Sequence, residues 1–363
     1  MAYVTRPSIV FPSHEITTED VVADIRQSLT ERADRGDVES AGLLRRLDGL
    51  AQSIHVERRR FVAPLEEVAQ ARTVQERNRL ACAGMLKLAV KAAQHALHEA
   101  GLTPGEIDVL ITSHSTTPMT PGLDVHLVNE LGLRPDVWRQ PATQLGCVGG
   151  AHTLAWAAQL AKAFPSKIIL VVDAEALSSV HQRTSSQHRE NGSGLDNIIF
   201  RMLFGDSAGA CIVSAKPLGP GLKVEDSWQY VVPNTMDYYT LFVETDGLHF
   251  TSRREAPGGI SQLMDPLWTW LRKTDPDWVP DVVIAHPGGP KVLNLAAKGL
   301  GCPPGLLSHS WDSLRDYGNL GGVAVLHILA KTYEDAPRNG SRTLLFGAGP
   351  GFTGAALAGE WTA

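Results

Sequence analysis

The chain has 363 residues, 43% hydrophobic and 20% charged, with 34 Gly and 22 Pro. These proportions exclude a disordered, collagen-like or coiled-coil chain and suit two domains, or one large duplicated unit, at about 100–200 residues per domain. With 33 Lys+Arg against 39 Asp+Glu, the formal charge is −6, which excludes the broad basic footprint of a general nucleic-acid binder but leaves room for a local basic patch.

The N-terminal stretch MAYVTRPSIVFPSHEIT has neither a long apolar core nor a cleavage pattern, and no run approaches the roughly 18 apolar residues of a membrane span. Cys82, Cys147, Cys211 and Cys302 show no CxxC spacing. They read as neither a disulfide framework nor a zinc site, and the expectation is a cytoplasmic chain with reduced thiols. Residues 15–70 are charged and helical in pattern, ending in the basic cluster Glu57-Arg58-Arg59-Arg60. From about Gln75 to Ala100, Leu80, Leu88, Ala92, Ala96 and Ala100 share one face, which predicts a long helix. Gly101 ends it, and the continuous apolar run Ile107–Thr112 predicts a strand buried in a parallel sheet.

A helix is expected from Pro121 to Leu133, another from about Val148 to Phe164, and a buried strand over Ile168–Val172. His181–Asn197 is polar and reads as a surface excursion, followed by a strand at Ala210–Ser214. From about Pro217 the pattern starts again. A helix around Ile260–Arg272 precedes Asp281–His286 as the first long helix precedes Asp108–Ile111, and Leu344–Gly347 before Gly354–Leu357 echoes Phe204-Gly205 and its strand. The order predicts a duplicated α/β chain, with halves 1–216 and 217–363.

Four segments carry candidate chemistry. In Gln144-Leu145-Gly146-Cys147-Val148-Gly149-Gly150, a cysteine among small residues opens an apolar helix. Unpaired N–H groups and the positive end of the helix dipole favour a thiolate there, so the thiol pKa is expected below its usual value of about 8.5. A buried structural cysteine is the competing reading. In Ala285-His286-Pro287-Gly288-Gly289-Pro290, a buried strand ends in a histidine, the usual place for a proton donor or oxyanion stabiliser, or for a turn residue with no role. Asn319, in Tyr317-Gly318-Asn319-Leu320-Gly321-Gly322, stands at a helix start as an N-cap or as a donor to a developing oxyanion. Phe346-Gly347-Ala348-Gly349-Pro350-Gly351 lacks the glycine spacing of a dinucleotide loop and reads as a rigid wall beside a pocket. Gly205-Asp206-Ser207-Ala208-Gly209 matches G-x-S-x-G, but the residues after the serine read as strand rather than the helix that a hydrolase elbow needs.

Together, QLGC at 144–147, LFGD at 203–206, GLHF at 247–250, HPGGP at 286–290, YGN at 317–319 and GAGPG at 347–351 resemble the type III polyketide synthases, the chalcone synthase-like branch of the thiolase superfamily. Where that family usually has GFGPG, this chain carries Ala348. The resemblance implies a duplicated, layered αβαβα thiolase-like fold and a homodimer. It makes Cys147 the nucleophile and His286 and Asn319 its partners, with Phe204 and Phe250 between a CoA tunnel and the active site, and Gly288, Gly289, Gly349, Pro350 and Gly351 as backbone walls of the substrate site. The activity it implies is acyl transfer from CoA onto Cys147, extension with malonyl-CoA by decarboxylative condensation, and cyclisation to a pyrone or small phenolic ring. No metal, flavin, nicotinamide, nucleic acid or membrane takes part. A ketoacyl synthase III-like enzyme making one condensation is the alternative. By the same resemblance, Val180, Leu241 and Gly321 are expected at positions lining the cyclisation cavity. Leu241 is expected to fill space there and Gly321 to restore some, giving two or three extensions. CoA phosphates are expected on basic residues of the N-terminal helical region, with Arg45, Arg46, Arg58, Arg59 and Arg60 as candidates and a solvated helix face as the competing reading.

Overall fold

In the computed structural model, which describes residues 1–70, 73–180, 194–244 and 247–362, the chain opens with the short strands β1 (Ala2–Val4) and β2 (Ser8–Val10). A small antiparallel pair, β3 (His14–Thr17) and β4 (Arg58–Phe61), then brackets the helices α1 (Thr18–Ala33), α2 (Val38–Leu44) and α3 (Leu47–Ser53). Thr17 starts α1 with a capping box: its hydroxyl accepts from the Asp20 N–H while the Asp20 carboxylate accepts from its own N–H, pairing two amide groups that the helix start would leave open. The arginine cluster expected within a helical region is strand β4 instead. Arg59 and Phe61 point inward and Arg58 outward, the two-residue period of a strand.

After α4 (Leu65–Ala69), the long helix α5 (Val74–Glu99) buries Ala81, Met85, Leu88, Ala92 and Ala96 along one side, the apolar stripe visible in sequence. There follow β5 (Val109–His114), α6 (Leu123–Leu131), β6 (Trp138–Thr143), α7 (Gly149–Ala163), β7 (Ile169–Glu175), α8 (Gly194–Leu203) and β8 (Ser207–Ser214). Most of the expected polar excursion, 181–193, lies outside the described residues, and its last four residues belong to α8. Ser207 leads into a strand, as read.

The second half contains β9 (Gly221–Thr235), the hairpin β10 (Tyr239–Glu244) and β11 (Gly247–Ser252), α9 (Gly259–Leu271), β12 (Val282–Ala285) and α10 (Pro290–Leu300). It ends with α11 (Ser308–Tyr317), α12 (Val323–Asp335), β13 (Arg342–Gly349) and β14 (Gly351–Thr362). The large sheet runs β12-β13-β14-β9-β1-β8-β7-β5-β6, with β2 also pairing β8. Its two ends repeat one plan. Helix α5 and strand β5, then helix α7 and strands β7 and β8, correspond to α9 and β12, then α12, β13 and β14. In both series the first two strands pair parallel and the last two antiparallel.

Side-chain alternation sorts the apolar residues into layers. Ile111, Val171 and Val213 of the first half, and Ile284 and Leu345 of the second, face a shared core built on α7 and α12. Their neighbours Leu110, Val172 and Ile212 face α5 and α6, while Val283 and Leu344 face α9 and α10. Near-continuous apolar strands covered on both faces are what a buried sheet requires, and the result is the five-layered αβαβα order. The two central helices start at the same end of the molecule, which is where the site forms.

Candidate active site

Glycine brings α7 and α12 together at their first turns. A Cβ on Gly150 would sit 2.2 Å from the Gly322 carbonyl oxygen, and one on Gly322 would meet the Gly150 nitrogen at 3.1 Å. No larger residue permits this approach. It places Cys147, in the tight turn Gly146–Val148 just before α7, beside Asn319 in the segment leading into α12. The Asn319 Nδ2 lies 3.7 Å from the Cys147 Sγ. Asn319 is not the N-cap of α12, which begins at Val323. Its Oδ1 instead accepts from the Gly321 N–H at 2.9 Å and also lies 3.9 Å from the Cys147 Sγ, so the amide is held edge-on to the thiol. Its backbone is clamped on both sides: Asn319 N–H donates to the Leu203 carbonyl and the Gly205 N–H donates to the Asn319 carbonyl, at 2.8 and 3.1 Å.

His286 immediately follows β12, with its N–H donated to the Phe346 carbonyl at 2.9 Å. The side chain is buried, and among the described residues neither ring nitrogen has a hydrogen-bond partner. Two unpaired polar atoms in a buried ring are costly unless a ligand completes them. Cys147, His286 and Asn319 open onto one cavity of about 670 Å³, a size suited to a small organic substrate. Its walls come from both halves, with Leu50 and Ile54 at the C-terminal end of α3, Ile199 and Leu203 of α8, and Val292 and Leu295 of α10.

Burial sets the charge states. The Cys147 thiol faces the enclosed cavity rather than bulk water, and this desolvation pushes its pKa up to about 12, against the lowering effect of the Asn319 bond and with a further rise from Glu175. The expected depressed thiol is therefore not present in the free site: desolvation outweighs the helix start, and His286 supplies no positive charge. Burial drives His286 down to about 3, so its imidazole is neutral at physiological pH. The resting pair is a thiol and a neutral imidazole. Two carboxyl groups near the turn are shifted upward by burial, Asp173 to about 8 and Glu175 to about 7. Asp173 accepts from the Thr153 hydroxyl, and Glu175 from the Ser115 N–H and the Thr116 hydroxyl.

Of the other expected site residues, Phe204, Phe250, Gly288, Gly289, Gly349 and Pro350 line the cavity, and so does Ala348. Gly349 backs the Cys147 turn so closely that a Cβ there would lie 2.7 Å from the Val148 nitrogen. Gly351 is not among the lining residues; it pairs with Thr235 at the start of β14. Leu241 stands opposite Phe250 in the hairpin and joins the apolar cluster that includes Phe204 and Cys147, without lining the cavity itself. The room expected at Gly321 is filled, since a Cβ there would meet Glu175 Cγ and Leu177 Cδ1 at 3.2 and 3.3 Å. Val180 closes the turn Leu177–Val180, and its side chain falls outside the described part of the molecule.

The arginines fare differently. Arg59 is fully buried and donates to the Met202 carbonyl and the Thr18 hydroxyl, so it is structural. Arg58 pairs with Asp316 at 3.2 Å and Arg60 with Glu15 at 2.6 Å. Arg45 and Arg46 are exposed between α2 and α3, outside the cavity lining. The cation that lines the cavity is Lys291 of α10, which follows the glycine turn after His286. Sequence reading missed Lys291 and Tyr239. The HPGGPK run held a signal for the first. Nothing local marked the second, one apolar residue in the run Tyr239-Thr240-Leu241-Phe242-Val243.

Family models for the chalcone and stilbene synthases match most of the chain, the N-terminal domain over residues 52–217 and the C-terminal domain over 223–358. Among solved structures, a germicidin synthase from Streptomyces coelicolor, described as a type III polyketide synthase, aligns with a TM-score of 0.90 at 36% identity, covering 99% of both chains. A 1,3,6,8-tetrahydroxynaphthalene synthase from the same species aligns with a TM-score of 0.90 at 28% identity over 99% of both chains. Among curated sequences, a phloroglucinol synthase of Pseudomonas fluorescens is 28% identical over 100% of each chain. A 1,3,6,8-tetrahydroxynaphthalene synthase of Streptomyces griseus is also 28% identical, over 99% of this chain and 93% of its own.

Proposed function

The chain belongs to the chalcone and stilbene synthase family, and on that premise we propose that it is a type III polyketide synthase in which Cys147 takes an acyl group from a CoA thioester and extends it with malonyl-CoA. The observation that carries the roles is the convergence of Cys147, Asn319 and a buried His286 with two unpaired ring nitrogens on one cavity of about 670 Å³.

The charge states suggest the order of events. A neutral imidazole is able to accept the thiol proton as Cys147 attacks the thioester carbonyl, so the thiolate forms only with substrate present. The imidazolium then returns the proton as CoA leaves. When malonyl-CoA enters and loses CO2, the electron pair remains as a thioester enolate. The N–H of His286 and the amide N–H of Asn319 donate to that enolate oxygen, where each such donor is worth about 3–4 kcal/mol. The carbanion attacks the acyl carbonyl on Cys147, the C–S bond breaks, and the thiolate is released for the next round. Loss of CO2 supplies the carbanion without a redox group, so no cofactor beyond the CoA thioesters is proposed.

The finer assignments belong to the same reading. They are Phe204 and Phe250 at the tunnel junction, Lys291 near the CoA entrance in place of Arg45, Arg46 and Arg58, functional halves divided at 216/217, a homodimer, a cytoplasmic location, and closure to a pyrone or small phenolic ring. The test is purified protein with malonyl-CoA and a panel of acyl-CoAs, with products read by mass spectrometry. Cyclised polyketides from wild type and none from Cys147→Ala are expected. A product retained by Cys147→Ala would overturn the nucleophile assignment.

A further inference from the structure

The hairpin contributes two polar side chains to a largely apolar cavity lining. Tyr239 and Ser252 are direct cross-strand partners on β10 and β11, and both line the cavity. The Tyr239 ring is held by two aromatic neighbours, Phe250 at 5.9 Å between centroids and 20° between planes, and Phe352 at 6.0 Å and 34°. Ring packing explains the position of the side chain but not its oxygen. Among the described residues the phenol hydroxyl has no hydrogen-bond partner, although it shares the cavity with the nucleophile. Burial raises its pKa, and so does the charge that Cys147 carries as a thiolate. The group is therefore a protonated donor across the working range. A tyrosine in an apolar wall usually finds a partner for its O–H, and the few polar groups of a ligand pocket fix orientation.

We propose that Tyr239 is a specificity-determining residue that donates a hydrogen bond to a ketone oxygen of the chain tethered to Cys147, selecting the fold from which the ring closes. The proposal rests on the polyketide synthase reading and deepens it. An aliphatic starter has no acceptor beyond its thioester, so Tyr239 has little to hold in the first round. Each extension adds a ketone, so the grown chain has an oxygen to offer the hairpin. The hydroxyl thus acts on the late intermediate, and its loss affects the choice of product more than the loading of starter.

Tyr239→Phe tests this, because it keeps the ring and both aromatic contacts and removes only the O–H. The measurement is the ratio of ring-closed to open-chain and prematurely released products, by mass spectrometry with one acyl-CoA and malonyl-CoA, alongside the melting temperature. On the order of a fivefold fall in that ratio is expected from losing one neutral hydrogen bond, with the melting temperature unchanged. Replacing Tyr239 with 3-fluorotyrosine, which restores the O–H, should return the ratio toward wild type. An unchanged ratio in Tyr239→Phe, beside an active wild type, would overturn the role of Tyr239 alone. A wild type that consumes no malonyl-CoA would overturn the synthase reading and this proposal with it.

Discussion

His114 and His286 occupy corresponding places in the two halves, one ending β5 and the other directly following β12. Both are buried, and burial lowers the pKa of each. They differ in company. His114 meets the Thr117 hydroxyl through Nδ1 at 3.4 Å and feels the Asp124 carboxylate, whereas His286 has no partner for either nitrogen among the described residues and faces the cavity. A similar contrast separates the central helices. Cys147-Val148-Gly149-Gly150 leading into α7 and Asn319-Leu320-Gly321-Gly322 leading into α12 place a thiol and an amide at similar positions. The amide oxygen is held by the Gly321 N–H, while among the described residues the thiol's side-chain hydrogen-bond partner is Asn319. One duplicated frame thus yields a hydrogen-bonded histidine and one whose polar atoms the described residues leave open to the cavity.

The strongest way to break this contrast is to remove each histidine. His286→Ala should lower malonyl-CoA decarboxylation by about 10²–10³-fold, the usual cost of an oxyanion donor. Cys147→Gln, whose amide imitates the acylated thiol, should retain decarboxylation while making no product. His114→Gln should keep decarboxylation within about twofold and show its effect in melting temperature, because a buried hydrogen-bonded group costs about 1–3 kcal/mol when its pairing is disturbed. Release of 14CO2 from labelled malonyl-CoA reads all three. Equal losses in the two histidine variants would erase the distinction.

A smaller effect is expected where the halves touch. Gly150→Ala places a methyl 2.2 Å from the Gly322 carbonyl oxygen, whereas Gly322→Ala meets its nearest atom at 3.1 Å. Overpacking costs about 1–3 kcal/mol, and Gly150→Ala should lie at the upper end or beyond, with Gly322→Ala nearer the lower. Urea unfolding midpoints decide the order, and a reversal would mean that the helices separate freely. The smallest effect concerns the thiol. With its pKa pushed up to about 12, Cys147 in the free enzyme should react slowly with iodoacetamide at neutral pH. The rate should climb about tenfold per pH unit through the alkaline range, following the thiolate fraction. Asn319→Ala removes a bond that favours the thiolate and should slow labelling further. Peptide mapping that found Cys147 fully labelled below pH 8 would restore the depressed thiol expected from the helix start alone.

Periodicity carried most of the fold into view. The stripe on α5, the apolar strands β5 and β7 and the helix before Phe164 were legible because each depends on neighbours within a few residues. The duplication showed as a repeated order of such elements. The arginine cluster was misread as helical because burial of Arg59 depends on Met202, more than a hundred residues away. Strand β9 has a mixed burial pattern and finds its partners at the two ends of the chain, in β1 and β14.

At the site, the amino-acid sequence determined which candidate residues stand at the element ends that meet there. A cysteine, a histidine and an asparagine at element ends are covalent facts, and the glycines beside them announce close approaches. Only the tertiary structure decided their protonation and the shape of the space around them. The helix start argued for a thiolate, yet the enclosed cavity made desolvation the larger force. Gly321 suggested room, yet Glu175 and Leu177 arrive from another strand and turn to fill it. Arg58 suggested a phosphate contact, yet Asp316 already holds its charge. Tyr239 gave no local sign and became a cavity wall through its packing on Phe250 and Phe352. In each case the deciding partner is distant along the chain, and solvation and pairing energies are set by what surrounds a group in space rather than by its neighbours in sequence.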